Sequence, residues 1–401
     1  MYGENHIIFS PRSVAAAFLL LGITSAGAFA QTPTAAPAPA PEQPAQPAQP
    51  AAPPPIFSIG GFDLTGHLDV GYQSLSGAGS GRVFDFKRNE VILHAIDLQL
   101  AKTPESGFGG LVDVTLGKDA DTIAAYGTID KNRGPAAGVN KRADVTQAYV
   151  HFGAAPLTVI AGKFVTLAGA EVIKSAANTN YSRSILFGFA IPFTHTGVRA
   201  TYKVSDELSL IAGVNQGWDA VEDPNRDKTV ELGATYTPSK TTSLSATLYA
   251  GKENVSNYPT VSADKGNRTL LDLVGTFNLT EQLTFILNFD YGQQDNAPLT
   301  SGAKGTAKWD GLAAYLNYQI NDYWRTSLRA EYFHDRDGYR TGVDQIAKEL
   351  TATVAWLPTR EIELRLEGRA DRSDKNAYLN KDRNDYKKSQ NSVGVEFLYK
   401  F

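Results

Sequence analysis

From Phe62 onward, apolar and polar residues alternate along the chain with a period of two. In the segment 62–73, Leu68 and Val70 fall on one face, while His67 and Asp69 fall on the other. Such alternation predicts strands with one apolar and one polar face. The same pattern returns in four later segments: 271–279, 283–291, 324–332 and 361–369.

The alternating segments approach ten residues, which is the length that a tilted strand needs to cross a bilayer. Aromatic residues stand near many of their ends, as expected for girdles at two membrane interfaces: Tyr72, Tyr202, Tyr236, Tyr291, Tyr332, Trp356 and Tyr399. In lipid every backbone polar group must be paired internally, so such strands have to close. The sequence therefore predicts an all-β fold, a transmembrane antiparallel β-barrel.

The connections between the predicted strands alternate between two lengths. Seven are short: 103–106, 154–156, 205–207, 238–241, 280–282, 321–322 and 358–360. Eight are long and polar: 74–89, 117–142, 166–194, 216–227, 253–267, 293–307, 335–346 and 373–388. Outer-membrane barrels place short turns in the periplasm and long loops outside. Fifteen alternating connections predict sixteen strands, with both ends of the barrel on the short-turn side.

One apolar segment leaves the number of strands open between sixteen and eighteen. Ser184–Pro192 lies inside the third long loop, yet it is apolar enough to form a strand. With a further partner it would raise the number of strands to eighteen. Otherwise the loop 166–194 folds into the lumen, where its apolar residues pack against the wall. We favour sixteen strands.

The first 55 residues have the composition of export and linker segments. Residues 1–30 contain a short apolar run and end in Ala28-Phe29-Ala30, a pattern that signal peptidase cleaves. We expect a signal peptide; an uncleaved anchor is the alternative. Residues 31–55 are rich in Ala and Pro and predict an extended periplasmic linker. This linker is a spacer or a tether that lies against peptidoglycan. The barrel occupies residues 56–401.

The composition of the chain argues against several kinds of functional site. The 401 residues include no cysteine and carry a formal net charge of −4, which argues against a disulfide scaffold, a thiolate metal site or a nucleic-acid partner. The six histidines are scattered without metal-ligand spacing, and no Gly-x-Ser-x-Gly elbow is present. The sequence therefore predicts no enzymatic activity, no metal and no cofactor.

Two features resemble known outer-membrane barrels. The last strand alternates and ends on Phe401, like the C-terminal signal that such barrels present to their assembly machinery. Four short motifs are similar to those of the OmpL-like β-barrel porins of Gram-negative bacteria: Ala161–Phe164, Gly169–Glu171, Asn180–Ser184 and Ile191–Arg199. The likeness is most specific over Val159–Tyr202, although Leu167 stands where that family commonly has proline. It implies an outer-membrane porin and names no substrate.

A sixteen-stranded barrel is wide enough to enclose an aqueous channel, so residues on its polar faces should determine what passes. The candidates for pore lining and selectivity are Lys163, Arg199, Lys203, Arg325, Arg329, Glu363, Arg365, Glu367 and Arg369. Facing charges of opposite sign would orient dipolar solutes and bias ion passage. The alternative is that these charges pair with one another and only solvate the wall.

Three charged residues of the third long loop are candidates for a constriction: Glu171, Lys174 and Arg183. Their role depends on whether the loop enters the lumen. If it lies over the mouth instead, they are ordinary surface charges.

The leading functional hypothesis is a porin that passes small hydrophilic solutes and ions through the outer-membrane lipid, as a homotrimer by analogy with general porins. The alternative is a binding or adhesion barrel with a plugged lumen and ligand-binding outer loops. An energised receptor would need a plug domain, which the residues from Gln31 to Pro55 are too few to form. A soluble β-propeller or sandwich is a further alternative.

Overall fold

The computed structural model describes residues 53–78, 81–84, 88–128, 142–255 and 264–401. Within these residues, sixteen antiparallel strands form one barrel, and we number them β1 to β16 in chain order. Their bounds are Phe62–Leu75, Val91–Lys102, Ser106–Leu116, Ala143–Ala154, Leu157–Val165, Thr194–Lys203, Leu208–Asn215, Thr229–Ser239, Thr242–Asn254, Lys265–Asn278, Leu283–Pro298, Lys304–Asn321, Trp324–Asp335, Gln345–Trp356, Ile362–Ser373 and Ser389–Lys400. The prediction of sixteen strands is confirmed.

The barrel closes because its last strand pairs with its first. Tyr399 of β16 lies opposite Leu68 of β1, and Ser392 lies opposite Leu75. Every other strand pairs with the next strand in the chain. All strands of the barrel therefore have two hydrogen-bonded neighbours, which removes the free edges that lipid would not tolerate.

Two short pairings accompany the barrel without adding strands to its wall. The segment Phe57–Ile59 pairs with the beginning of β1. In the last long loop, Tyr378–Leu379 pairs with Tyr386–Lys387. The strand ends that flank the long connections lie at one end of the barrel, the loop end, and those that flank the short connections lie at the other, the turn end.

The predicted connections agree with the observed ones, with one clear error. The loop predicted over 293–307 is only five residues long, because β11 continues to Pro298 and β12 begins at Lys304. Ala297 lies opposite Gly305 in this extension. The backbone ladder continues here beyond the stretch in which side chains alternate between apolar and polar, so the pattern alone ended the strands too early.

The described residues contain little helix. A six-residue α-helix, α1, spans Lys118–Ile123, and the loop between β5 and β6 contains a 3₁₀ turn at Ser175–Ala177 and a π-helical turn at Leu186–Ala190. None of the described helices is long and apolar enough to cross a membrane.

The third long loop, residues 166–193, folds into the lumen, and we call it the inserted loop. Its apolar side chains Leu186 and Ile191 are buried in one cluster with Trp309 of β12 and Phe333 of β13. The indole of Trp309 also donates a hydrogen bond to the carbonyl oxygen of Ala190, 3.0 Å away. The prediction that this loop enters the barrel is confirmed.

The segment 184–192 is therefore not an additional strand, and the eighteen-stranded alternative is wrong. The N–H of Phe187 donates to the Ser184 hydroxyl at 2.9 Å, and the N–H of Gly188 donates to the Ser184 carbonyl at 3.2 Å. These local bonds satisfy the backbone as a turn instead of a ladder. The predicted signal peptide, 1–30, and residues 31–52 of the predicted linker lie outside the described residues.

Candidate functional site

The inserted loop is attached to the wall by charged residues, and Arg329 is one of them. Its guanidinium donates to the Glu171 carboxylate at 2.7 Å and to the carbonyl oxygen of Ser182 at 2.6 Å. On the wall side it contacts the Glu349 carboxylate at 3.1 Å. Because Arg329 is fully buried, this predicted pore-lining residue acts as a bridge between β13, β14 and the loop.

Arg365 on β15 holds the 3₁₀ turn of the loop in the same way. It donates to the carbonyl oxygens of Ser175 at 3.2 Å and Asn178 at 2.7 Å. Its charge is balanced by Glu363 at 2.7 Å and Glu396 at 2.8 Å. The Ser175 carbonyl also accepts from the N–H of Asn178 at 3.0 Å, so the arginine adds a second donor to this turn and fixes it to the wall.

Two wall carboxylates accept hydrogen bonds from the backbone of the loop. Glu367 accepts from the N–H groups of Tyr181 at 2.8 Å and Ser182 at 3.1 Å. Glu331 accepts from the N–H of Ile185 at 3.0 Å and from the N–H that follows it. Glu367 was among the predicted residues, whereas Glu331 was missed, although its position two residues after Arg329 puts it on the same face of β13.

Arg183, a predicted constriction residue, stabilises the loop itself. It donates to the carbonyl oxygens of Val172 at 3.1 Å and Ile173 at 2.6 Å, and its guanidinium lies over the Phe84 ring, 5.1 Å from the centroid. The carbonyl of Arg183 in turn accepts from Arg82 at 3.2 Å.

Arg82 was missed by the sequence analysis because it lies in the first long loop, outside any alternating segment. The structure brings it to the wall, where its guanidinium contacts Asp371 at 2.5 Å and Glu349 at 3.1 Å. The inserted loop is therefore held by a second loop as well as by the strands.

Four of the predicted pore-lining residues pair with carboxylates of the wall. The pairs are Arg325 with Glu363, Arg369 with Asp371 at 3.2 Å, Arg199 with Glu231 at 2.8 Å and Lys163 with Asp144 at 3.0 Å. All four cations are buried. Their charges are thus balanced within the barrel.

Lys203 differs because it lies at the turn end of β6. Its amine pairs with Asp206 at 2.8 Å, and 40% of its side chain is exposed. The hydrogen bond from Lys203, together with its positive charge, lowers the pKa of Asp206 below its usual value. The ion pair of Lys203 is therefore local to the turn and does not involve the inserted loop.

Lys174 is the accessible charged residue of the inserted loop. Its amine lies 2.8 Å from Asp97, 3.0 Å from Asp113 and 2.8 Å from the amide oxygen of Gln99. About a quarter of the side chain, 26%, is exposed, compared with 6% for Glu171 and none for Arg329. Of the predicted lumen residues away from the turn end, it is the one that solvent reaches best.

A cavity of about 510 Å³ lies at the turn end of β1 and β2. Its lining includes Asp63, Thr65, Gln99 and Ala101. Gln99 also accepts the hydrogen bond from Lys174. Gln99 therefore contacts both the cavity and the Lys174 amine.

One group of side chains has donor atoms suited to a metal ion: Asp69, His94 and Asp119 lie within 4.8 Å of one another. Both ring nitrogens of His94 are already engaged, one with Asp119 at 2.9 Å and the other with the Tyr181 hydroxyl at 2.8 Å. The Ser175 hydroxyl donates to Asp69. These hydrogen bonds join α1 and the inserted loop to the wall.

The chain belongs to the family described as "Putative beta-barrel porin-2, OmpL-like", which matches residues 61–401. The resemblance seen in the sequence is confirmed, and the match covers the whole barrel. A search of curated protein sequences finds no match to the chain.

Several solved porin structures share the fold. The outer membrane channel DcaP of Acinetobacter baumannii is 15% identical, with a TM-score of 0.57, over 87% of this chain and 100% of that one. OmpT of Vibrio cholerae is 14% identical, with a TM-score of 0.57, over 85% and 97%. The anion-selective porin from Comamonas acidovorans is 12% identical, with a TM-score of 0.59, over 85% and 99%. At these identities the likeness shows the fold alone.

Proposed function

We propose that this barrel is a porin that gives small hydrophilic solutes and ions passive diffusion through a water-filled lumen. The observation that carries the proposal is the inserted loop, which narrows the lumen and carries the partly exposed, charged side chain of Lys174. A narrowed, charged passage sorts solutes by size and charge. Membership of the porin family supports the same function, and the proposal includes no catalytic role.

The proposed location is the outer membrane of a Gram-negative bacterium, reached by export through the signal peptide 1–30. The lipid-facing positions of the strands support it: Leu350, Leu366 and Val393 are among the most exposed apolar side chains. Phe401 exchanges two backbone hydrogen bonds with Gly66 of β1, at 2.7 and 2.9 Å. The proposed assembly signal therefore lies at the seam where the barrel closes.

We further propose a homotrimer. One of the similar structures, OmpT of Vibrio cholerae, is a trimer form and is 14% identical to this chain. Several outward apolar side chains near the beginning of the barrel, such as Val91 and Phe108, are exposed in the single chain. Either lipid or a second copy would cover them.

The alternative function is a binding or adhesion barrel with a plugged lumen. Complete burial of Arg329 and Arg365 beneath the inserted loop favours it, because no solute can contact these residues while the loop stays in place. In this alternative the outer loops carry the activity, and the segment 31–55 tethers the barrel to peptidoglycan.

Conductance in planar bilayers separates the two functions. A porin should insert in discrete current steps, and its conductance should rise with salt concentration. Folding of the purified barrel is checked by heat-modifiable migration on a gel. A folded barrel that never conducts would contradict the porin function and leave the plugged barrel, whose loops should then bind a surface polymer when grafted onto another barrel.

A further inference from the structure

The surroundings of the Lys174 amine have the geometry of a cation site. Gln99 of β2 and Asp113 of β3 are direct partners in the ladder, and Asp97 lies two residues from Gln99 on the same face. Their oxygens converge on the amine at 2.8 to 3.0 Å. An ammonium group has three donors, and three oxygens are available to accept them.

The three oxygens belong to the wall, and the two carboxylates are held there independently of Lys174. Thr115 donates to Asp97 at 3.2 Å, and Gln147 donates to Asp113 at 3.1 Å. The site therefore consists of two carboxylates and one amide on adjacent strands. With Lys174 in place, the formal charge of the group is −1.

The amine itself arrives on the inserted loop. Lys174 directly precedes the 3₁₀ turn Ser175–Ala177, whose carbonyls Arg365 holds, so its backbone is anchored. Its side chain, by contrast, is a flexible four-carbon stem with a terminal charge, and 26% of it is exposed while the two carboxylates are almost completely buried. Movement of this side chain alone would uncover the oxygens.

The site adjoins a cavity at the turn end of the barrel. Gln99 contributes both to the cation site and to the lining of the 510 Å³ cavity. A solute that enters this cavity therefore reaches Gln99, whose amide oxygen also accepts a hydrogen bond from the Lys174 amine.

We infer that Asp97, Gln99 and Asp113 form a binding site for inorganic cations and small primary ammonium solutes, and that Lys174 occupies it as a tethered competing cation. This inference rests on the proposed porin function and assigns it a class of solute. In the resting barrel the lysine neutralises half of the carboxylate charge and limits cation passage. A mobile cation passes when it displaces the amine.

The test is ion selectivity in planar bilayers. The reversal potential is measured across a tenfold KCl gradient for the wild type, Lys174→Met, Asp113→Asn and the control Lys240→Met. Lys174→Met should raise the potassium-to-chloride permeability ratio several-fold, because both carboxylates then face the passage uncompensated. Asp113→Asn should lower the ratio below that of the wild type. Lys240→Met removes an equal charge at an exposed turn and should leave the ratio unchanged.

A second measurement uses methylammonium as the probe. Added to the wild-type pore, it should reduce the potassium current by competing for the oxygens, and Lys174→Met should be blocked at a several-fold lower concentration. Lys174→Arg keeps the tethered charge and should behave like the wild type. Should Lys174→Met fail to fold, Asp113→Asn and Lys174→Arg still decide the question.

The outcomes separate this inference from the function on which it rests. Absence of conductance in the folded wild type would defeat the porin function. A conducting pore in which both Lys174→Met and Asp113→Asn keep the wild-type permeability ratio would overturn the cation site alone.

Discussion

Arg329 on the wall and Glu171 in the inserted loop form an ion pair of 2.7 Å, although 158 positions separate them in the sequence. The arginine is fully buried and the glutamate nearly so. A buried pair that loses one partner leaves an uncompensated charge in a poorly solvated place. The attachment of the loop therefore depends on charges that only the folded barrel brings together.

Glu171→Gln tests this attachment. The amide keeps the shape of the side chain and an acceptor for the Ser184 N–H, but it removes the charge that faces Arg329. We expect the free energy of unfolding of the barrel in detergent micelles, measured by denaturant titration, to fall by about 3 kcal/mol. Glu207→Gln, at an exposed turn, is the matched control and should be neutral. Equal stability of the two variants would contradict the role of the pair.

Gly394→Ala tests how closely the loop approaches the wall. A methyl group added at Gly394 would lie 2.7 Å from the Tyr181 ring, whereas one added at Gly368 would meet nothing within 4 Å. We expect Gly394→Ala to destabilise the barrel by about 1–3 kcal/mol, the usual cost of overpacking. Gly368→Ala should cost little. If protease access to the inserted loop does not rise in Gly394→Ala, the approach of Tyr181 to the wall is looser than described.

Arg365→Lys tests whether the 3₁₀ turn sets the width of the passage. Lysine keeps the charge but cannot contact the carbonyls of Ser175 and Asn178 and the carboxylates of Glu363 and Glu396 at once. The turn should loosen, and single-channel conductance should rise and become noisier. Arg360→Lys, at an exposed turn, is the control. Identical currents from both variants would show that this turn does not limit conduction.

Tryptophan fluorescence tests the orientation of the strands in lipid. Trp324 and Trp356 stack across adjacent strands, 6.3 Å between centroids, and are exposed by 42% and 43%, while Trp309 is fully buried and Trp218 nearly so. Brominated lipids should quench the exposed pair. The double variant Trp324→Phe/Trp356→Phe should lose most of the quenchable emission, and Trp218→Phe/Trp309→Phe should retain it. The reverse result would contradict the assignment of the outer face.

The number of strands and their faces follow from the sequence because each strand contacts lipid on one side and the lumen on the other. The environment therefore changes from each residue to the next. Along β15 the outward positions are apolar or small and the inward positions are charged: Leu364, Leu366 and Gly368 alternate with Glu363, Arg365 and Glu367. The loop predicted over 293–307 was too long for the same reason. Where the hairpin extends beyond the alternating pattern, its backbone pairing leaves no period-two signature to detect.

The roles of the charged residues could not be deduced in this way. Arg365 and Glu363 are visible as inward-facing residues from their spacing, but the loop carbonyls that Arg365 holds lie about 190 positions earlier in the chain. Lys174 is visible only as a loop charge, and its partners Asp97 and Asp113 come from two other strands.

Local alternation in the sequence thus determined the barrel and its sixteen strands, and it singled out the third long loop as a candidate constriction. The folded chain decided which charges hold that loop and which one, Lys174, stays partly exposed. The physical reason is the range of the interactions: the contrast between lipid and lumen acts residue by residue along a strand, whereas ion pairs and hydrogen bonds to the loop require segments that are distant in the chain to meet across the lumen.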